Sequence, residues 1–302
     1  MAVIAASTRA ALASDAAVRV TRDDSTVNVL AGQRPVLSYL YQASPYKPCV
    51  NQLFTPSGLN ILRDSPHDHV HHHALMFAVG VNGISFWEEK PGPQTGSQVS
   101  REIATATASR DGAATAAIRQ QVDWVDSDKK ALLGERRTIV ALIAADPAAT
   151  LLTWRTRLTP AQAPVTLGGA HYYGLGLRFV ESMDNVGKFA NEAGDPGEVV
   201  RGDERLAAGA WCAYTAPVEG KPVTVVVFDH PDNPRPARFF TMTKPFAYLS
   251  ATINLWKEPL ELKSGETLDL RYGVAVFDGE ATGEQIGKLL ESWKGLTKEN
   301  DE

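Results

Sequence analysis

The chain has 302 residues, 44% hydrophobic and 22% charged, an ordinary globular balance with length for one extensive core or two small ones. Thirty Lys and Arg stand against 35 Asp and Glu, a formal net charge of -5, so no overall basic field gathers nucleic acid or anionic membrane. The 24 Gly and 18 Pro punctuate many short elements, and nowhere is there the run of roughly 18 apolar residues that a membrane-spanning helix needs.

Residues 1–17, MAVIAASTRAALASDAA, read as an N-terminal extension. They lack a basic segment followed by an uninterrupted apolar run, so cytoplasmic residence is the expectation and secretion the weaker alternative. A single β-sandwich domain is expected over residues 18–298. Val18 to Leu30, Pro35 to Tyr41, Leu75 to Val81 and Val99 to Thr107 carry β-branched or aromatic residues between turn-rich pieces and predict strands. The clearest alternation follows: Ile118, Val122 and Trp124 share one side of an extended segment, and Arg119, Gln121 and Asp123 share the other.

Further strands are predicted at Ala131 to Ile143, Leu151 to Leu158, Tyr172 to Val180, Gly209 to Thr215, Val223 to His230 and Leu268 to Phe277. Helical connections are scarce, which favours two packed antiparallel sheets over alternating strand-helix units. Asn191 to Arg205, with Gly194, Pro196, Gly197 and Gly202, predicts a long loop or an excursion over a sheet edge. Thr282 with Gln285 three residues later predicts a helix start, and Ile286, Leu289, Leu290 and Trp293 form an apolar stripe that packs on a sheet. Cys49 and Cys212, far apart and without a metal-binding doublet, predict buried thiols.

Five of the seven histidines lie in His67-Asp68-His69-Val70-His71-His72-His73. Extended, this segment puts His67, His69, His71 and His73 on one face; a turn instead brings His69 and His72 together. Three roles are open to it. Neutral imidazoles bind transition metals, with Asp68 as a ligand or an orienting partner, which makes zinc or another divalent ion the cofactor candidate. Imidazoles also move protons near neutral pH, or serve only as hydrogen-bonded structure. Asn82-Gly83 marks a turn before Trp87, a candidate sugar-stacking platform, and Glu88, a candidate acid-base group. His171, Arg178, Asp229 and His230 border other predicted strands and are candidates to converge on the cluster. Nucleophile-elbow, P-loop and Rossmann signatures are missing.

The segments RPVLSYLY, FTPSG, SPHDHVHHHALMFAVGVNGISFW, HYYGLGLRF, WCAYTAPVEGKPVTVVVFDHPDNPRPARFF, PFAYLSATINLWKEPLEL and LRYGVAVFDG together resemble the PmoA family of unknown function. The resemblance implies a mainly β fold, a large antiparallel β-supersandwich similar to galactose mutarotase with a short C-terminal helix, and a concave face suited to carbohydrate. It carries over Asp68, His69, His71 and His72 from the histidine motif, His171 and Arg178 from HYYGLGLRF, and Asp229, His230 and Asn233 from FDHPDNP. Val70, His73 and Ala74 stand where many relatives look like Pro, Arg and Gly. The family label points to methane oxygenation, but the sequence offers neither spanning segments nor a copper-site motif.

The leading expectation is therefore a carbohydrate-directed enzyme, an epimerase, mutarotase or glycoside-cleaving enzyme. In it His72 and His171 transfer protons, Glu88 or Asp229 serves as an alternative base, and Asp68, His69, His71, Trp87, Arg178 and His230 bind substrate. The alternatives are metal-assisted sugar chemistry and a non-catalytic carbohydrate-binding or structural module. Carbohydrate is the expected partner, with neither nucleic acid nor membrane.

Overall fold

Alternation gives the strand Ala113–Val125 two faces, and burial follows them: Ile118, Val122 and Trp124 are buried while Arg119 and Gln121 reach solvent. In the computed structural model, which describes residues 18–42, 46–110, 113–144 and 148–299, this strand belongs to an eight-stranded sheet. Its order is Lys188–Asn191, Trp211–Val218, Lys221–Asp229, Leu268–Asp278, Ala149–Pro160, Ala131–Ala144, Ala113–Val125 and Ser97–Arg110. The predicted extension, residues 1–17, lies outside the described residues.

A ten-stranded sheet packs against it. Its order is Val18–Arg22, Thr26–Ala31, Arg34–Leu40, Cys49–Leu53, Leu75–Ala78, Gly174–Arg178, Tyr248–Thr252, Arg238–Met242, Glu204–Ala208 and Glu198–Arg201. A four-stranded sheet of Leu260–Leu262, Val165–Gly168, Gly80–Val81 and Ile84–Ser85 completes the architecture. The named strands pair antiparallel throughout, so the protein is the antiparallel β-supersandwich expected, with one helix at the C-terminal end. Cys49 and Cys212 are buried free thiols.

Three predicted elements take a different or more definite form. Leu75 to Val81 is two strands rather than one, Leu75–Ala78 of the ten-stranded sheet and Gly80–Val81 of the four-stranded one. Val18 to Leu30 is a hairpin rather than one strand, because Asp23 Oδ1 accepts the backbone N–H groups of Ser25 and Thr26, both at 2.8 Å, and turns the chain. Asn191 to Arg205, predicted as a long loop or an excursion over a sheet edge, leads into the hairpin of Glu198–Arg201 with Glu204–Ala208 at the edge of the ten-stranded sheet, for which Gly202 at φ 55° supplies the reversal. The helix, Gly283–Glu299, starts as predicted: Thr282 N–H donates to Gln285 Oε1 at 2.8 Å and Gln285 N–H to Thr282 Oγ1 at 3.3 Å. Ile286, Leu290 and Trp293 are buried against Val226, Phe228, Ala275 and Phe277 of the eight-stranded sheet. Gly273 leaves the room that the Trp293 ring fills.

Between the two large sheets lies a buried ion pair. Arg137 donates from Nε and Nη2 to the two oxygens of Glu135, both at 2.8 Å, with the side chains 1% and 0% exposed. Trp124 Nε1 and Thr156 Oγ1 donate to the same carboxylate at 2.8 and 3.0 Å, and Arg137 also reaches Gln98 Oε1 at 2.8 Å and Pro48 O at 3.1 Å. Every partner that desolvation demands is thus supplied from the strands themselves. Arg137→Met, which leaves Glu135 buried without its cation, is expected to lower the urea-unfolding free energy by about 3–5 kcal/mol. The double variant Glu135→Gln/Arg137→Met should recover most of that loss; equal losses in the two proteins would mean that the pair contributes only packing.

Candidate functional site

The histidine segment folds as two successive turns. His69 N–H donates to Pro66 O at 3.0 Å and His72 N–H to His69 O at 2.9 Å, while Ser65 N–H closes back on His72 O at 3.0 Å. Ser65 (φ 44°) and Ala74 (φ 48°) adopt left-handed backbone at its two ends. The turn settles the question that the spacing left open. The rings of His69 and His72 stack at 4.7 Å, and His71 meets His72 edge-on at 4.6 Å.

What pins this turn is a chain of buried charges. Lys47, 1% exposed, donates from Nζ to Glu89 Oε1 at 2.7 Å, to Trp87 O at 2.8 Å and to His71 O at 3.2 Å. Glu89 Oε1 also lies 2.8 Å from His73 Nε2, and Asp64 Oδ1 lies 2.8 Å from His73 Nδ1. Burial opposes charge on all three groups. It lowers the Lys47 pKa despite Glu89, whereas hydrogen bonds to Asp64 and Glu89 overcome it at His73 and raise the imidazole above its usual range. Glu89 is correspondingly held below the usual carboxylate range by His73 and Lys47 against its own burial.

A metal reading of this region was tested on its donors. Among the described residues, Cys49, Asp64 and His73 offer ligand atoms within 4.8 Å of one another, a spacing that could hold a divalent ion. Both ring nitrogens of His73 already face carboxylates, however, and burial pushes the Cys49 thiol well up, so the donor set matches a charged hydrogen-bond network better than a metal centre. His69, His71 and His72, for which metal ligation was one of three open roles, pack ring against ring, stacked or edge-on, and do not form a ligand cluster among the described residues.

The outer face of the ten-stranded sheet forms the floor. In HYYGLGLRF, Leu175 and Leu177 face the core, and Gly176 and Arg178 face out, beside Ser250 and Tyr248 of the next strand. Gly176 is needed here, since a Cβ would collide with Tyr248 Oη and come within 2.8 Å of the Trp87 ring. Tyr248 lies 4.9 Å from His72, and Phe246 lies 4.6 Å from His69, with the Arg178 guanidinium 3.6 Å from the Phe246 ring centre. Arg178 Nη2 reaches Asp68 at 3.3 Å and Asp184 at 3.7 Å. Burial lowers the Arg178 pKa and raises that of Asp184, whereas His69 and Arg178 hold Asp68 below the usual range against its desolvation. Besides His69 Nδ1, which faces Asp68 Oδ2 at 3.2 Å, five buried polar atoms in this patch have no hydrogen-bond partner among the described residues: His72 Nδ1, Trp87 Nε1, Tyr248 Oη, and Arg178 Nε and Nη1.

Of the predicted site residues, Asp68, His69, His71, His72 and Arg178 share this patch. Glu88 belongs with them electrostatically: burial lowers the His71 pKa, and Glu88 is the strongest opposing influence. His72 lies deeper, and burial, reinforced by His71 and His69, holds its imidazole far below the usual range. His171 stands one ring away, 5.0 Å from Tyr172, which is 5.4 Å from Trp87, and pairs with Glu204 at 3.2 Å.

Three assignments need correction. Trp87 is 0% exposed and stacked on Tyr173 at 5.1 Å, so it backs the aromatic cluster and offers no face to a sugar. Asp229 and His230 end a strand of the eight-stranded sheet, not the ten-stranded one. Asp229 accepts from Ala237 N–H at 2.8 Å and Asn233 Nδ2 at 2.7 Å, and its pKa is pushed up to about 6 by burial. His230 meets Thr297 Oγ1 at 2.9 Å and packs on Trp293 of the helix at 5.3 Å. Sequence reasoning missed Lys47, Glu89 and Asp184, which precede or follow strands without a motif of their own, and Phe246 and Tyr248, which stand before and at the start of the strand Tyr248–Thr252 and read as ordinary strand aromatics. It also missed Trp256, 39% exposed and 5.9 Å from His171; its position in a turn-forming NLWKEP segment was the available signal.

The raised pKa of His73 has a signed consequence. A group raised on folding contributes fully below its unfolded value, ordinarily about 6.5, and that contribution is lost as the pH rises through the folded value. The unfolding free-energy difference between the native protein and His73→Asn should therefore be largest near about pH 6 and shrink toward about pH 8.5. A difference that stays constant over that range would mean that folding leaves the His73 pKa unchanged, and one that grows with pH would mean that the folded ring is neutral.

Residues 26–291 match the profile of a family of unknown function, DUF6807, and the chain belongs to that family. This overturns the PmoA resemblance, whose membrane association also finds no support: among the described residues no helix is long and apolar enough to cross a membrane. No curated protein matches the chain. Among solved structures, the GH36 alpha-galactosidase AgaB from Geobacillus stearothermophilus aligns at 12% identity and TM-score 0.53, covering 86% of this chain and 41% of that one. A galactose mutarotase-like protein from Clostridium acetobutylicum aligns at 8% identity and TM-score 0.43, covering 87% and 99%. The chain thus spans about two fifths of the galactosidase, and at this identity the likeness is one of fold.

Proposed function

We propose that the histidine turn and the outer face of the ten-stranded sheet bind a carbohydrate and interconvert its anomers or epimers by proton transfer. The observation that carries this reading is the gathering of His72 Nδ1, Tyr248 Oη and Arg178 Nε and Nη1, all buried and unpaired, beside His71 and Glu88. A buried polar atom without a partner costs about 1–3 kcal/mol, and a polyhydroxylated ligand brings donors and acceptors together. The fold shared with an alpha-galactosidase supports testing sugars first.

His71, kept neutral near pH 7 by burial yet supported by Glu88, is the base in this reading. It takes the proton of the anomeric hydroxyl as the bond from the anomeric carbon to the ring oxygen breaks, while the ring oxygen receives a proton. His171, paired with Glu204, is the residue we assign as that donor. Rotation of the open aldehyde and reclosure reverse both transfers, so no electrons are exchanged and no net proton is consumed. His72, which its burial keeps neutral, orients the sugar by hydrogen bonding. An ion at Cys49, Asp64 and His73 has no part in this scheme.

Anomer interconversion followed by polarimetry and NMR across neutral and oxidised aldoses tests the proposal. His71→Gln should slow turnover by about 10²–10⁴-fold at matched folded fraction, and His72→Gln should retain more activity than His72→Ala. No acceleration of any aldose at high protein concentration would reject the activity. Saturable sugar binding without turnover would leave a binding module instead, and release of an aglycone from glycosides would move the reaction to cleavage.

A further inference from the structure

The outer face of the eight-stranded sheet is a second, chemically different surface. Cross-strand register pairs Arg119 with Thr138, Thr138 with Arg155 and Arg155 with Arg271. One step along the strands, the register pairs Gln121 with Arg136, Arg136 with Arg157 and Arg157 with Asp269. Directly paired residues lie on the same face, with neighbouring strands about 4.8 Å apart and successive same-face rows about 7 Å apart. Two adjacent rows therefore hold five guanidinium groups on four strands, and Arg101 adds a sixth at the edge, where its Nε donates to Asp123 at 2.7 Å. A groove of about 620 Å³ runs between Arg101, Arg119, Arg136, Arg155 and Arg157.

Among the described residues, three acids stand on or beside this face: Asp269 in the rows, Asp123 beside Arg101, and Glu102, which lines the groove and accepts from Gln121 Nε2 at 2.9 Å. Asp269 accepts from Arg155 Nε at 2.9 Å and Nη2 at 2.6 Å, and the same carboxylate lies 3.8 Å from Arg157 Nε and 3.7 Å from Arg271 Nη2. Arg119 and Arg136 are exposed, and neither forms an ion pair among the described residues. In a chain of net charge -5, such a segregated cationic face marks where an external anion docks.

We infer that this face binds an oligosaccharide of uronic acid residues. The fork of Arg155 on Asp269 is an internal example of the carboxylate geometry that the neighbouring guanidiniums offer. Thr138 and Gln121, interspersed in the rows, supply hydrogen-bonding groups for sugar hydroxyls. Nucleic acid fits less well. The two rows consist of Arg, Thr, Gln and Asp and offer no aromatic platform for bases, and the net negative chain repels a long polyanion. The surface lies on the sheet opposite the histidine turn, so the inference stands independently of the proposed chemistry there.

Calorimetric titration of the full chain with tetragalacturonate, against neutral galactotetraose, tests it. The expected result is saturable binding of the uronate alone, weakened by added salt and weakened about tenfold or more in Arg119→Ser/Arg136→Ser. Both positions are exposed, so the variant's melting temperature should match the native one and certify its fold. His71→Gln, which disables only the other face, should bind the uronate unchanged. Absence of uronate binding, equal affinity in the correctly folded double variant, or tighter binding of a single-stranded oligonucleotide of equal charge would overturn the inference.

Discussion

A lysine removed from water must keep an anion beside it, and Lys47 does so through Glu89, which in turn holds His73, which holds Asp64. Each link joins a different part of the chain. Lys47 precedes the strand Cys49–Leu53, Glu89 follows the turn after Ile84–Ser85, and Asp64 and His73 bracket the histidine turn. The lysine also fastens two backbone carbonyls, His71 O and Trp87 O. Removing one charge leaves its neighbour without a counter-charge, most severely between the buried Lys47, Glu89 and His73. The rings of His69, His71 and His72 inherit their positions from this chain of charges.

The same logic operates between the large sheets, where Glu135 and Arg137 satisfy each other, and it explains why stability and chemistry occupy different faces. Inward-facing rows are mostly apolar, and the polar side chains among them, such as Gln98, Gln120 and Thr156, close hydrogen bonds around that ion pair. The outward rows carry groups whose partners are incomplete: unpaired donors around Tyr248 and Arg178 on one sheet, excess guanidinium on the other. Incomplete pairing is tolerable at a surface because water or a ligand completes it. Gly176 illustrates the cost of building such a surface from strands, since only a residue without a side chain lets the Tyr248 and Trp87 rings close over the sheet.

Much of the fold was legible from alternation alone. Ile118, Val122 and Trp124 against Arg119 and Gln121 specify a half-buried strand, and the Thr282–Gln285 capping box specifies where the helix begins. What alternation cannot convey is which sheet a strand joins. Asp229 and His230 end an apolar run as persuasive as the one before Arg178, yet register delivers them to the eight-stranded sheet, with His230 against the C-terminal helix. Nor does an indole advertise its exposure: Trp87 is held inward by Tyr173, whereas Trp256, in a turn, is left outside. For Asn191 to Arg205 the glycines and charges left a long loop and an excursion over a sheet edge both open, and pairing with the neighbouring strand decides for a hairpin at the edge.

His72 and His73 show how far environment outruns residue type. They are consecutive and both buried, yet the turn sends their rings to opposite surroundings. His72 enters an aromatic pocket of Phe246, Tyr248 and Trp87 with cations rather than anions nearby, so desolvation prevails and the ring stays neutral. His73 meets two carboxylates, whose hydrogen bonds outweigh the same desolvation penalty, and the ring holds its proton. A histidine-rich string therefore contains two kinds of group, a charged one that braces the turn and neutral ones that can exchange protons or hydrogen bonds. The division follows from where Asp64 and Glu89 lie, and those two residues are the ones that a search for clustered histidines passes over.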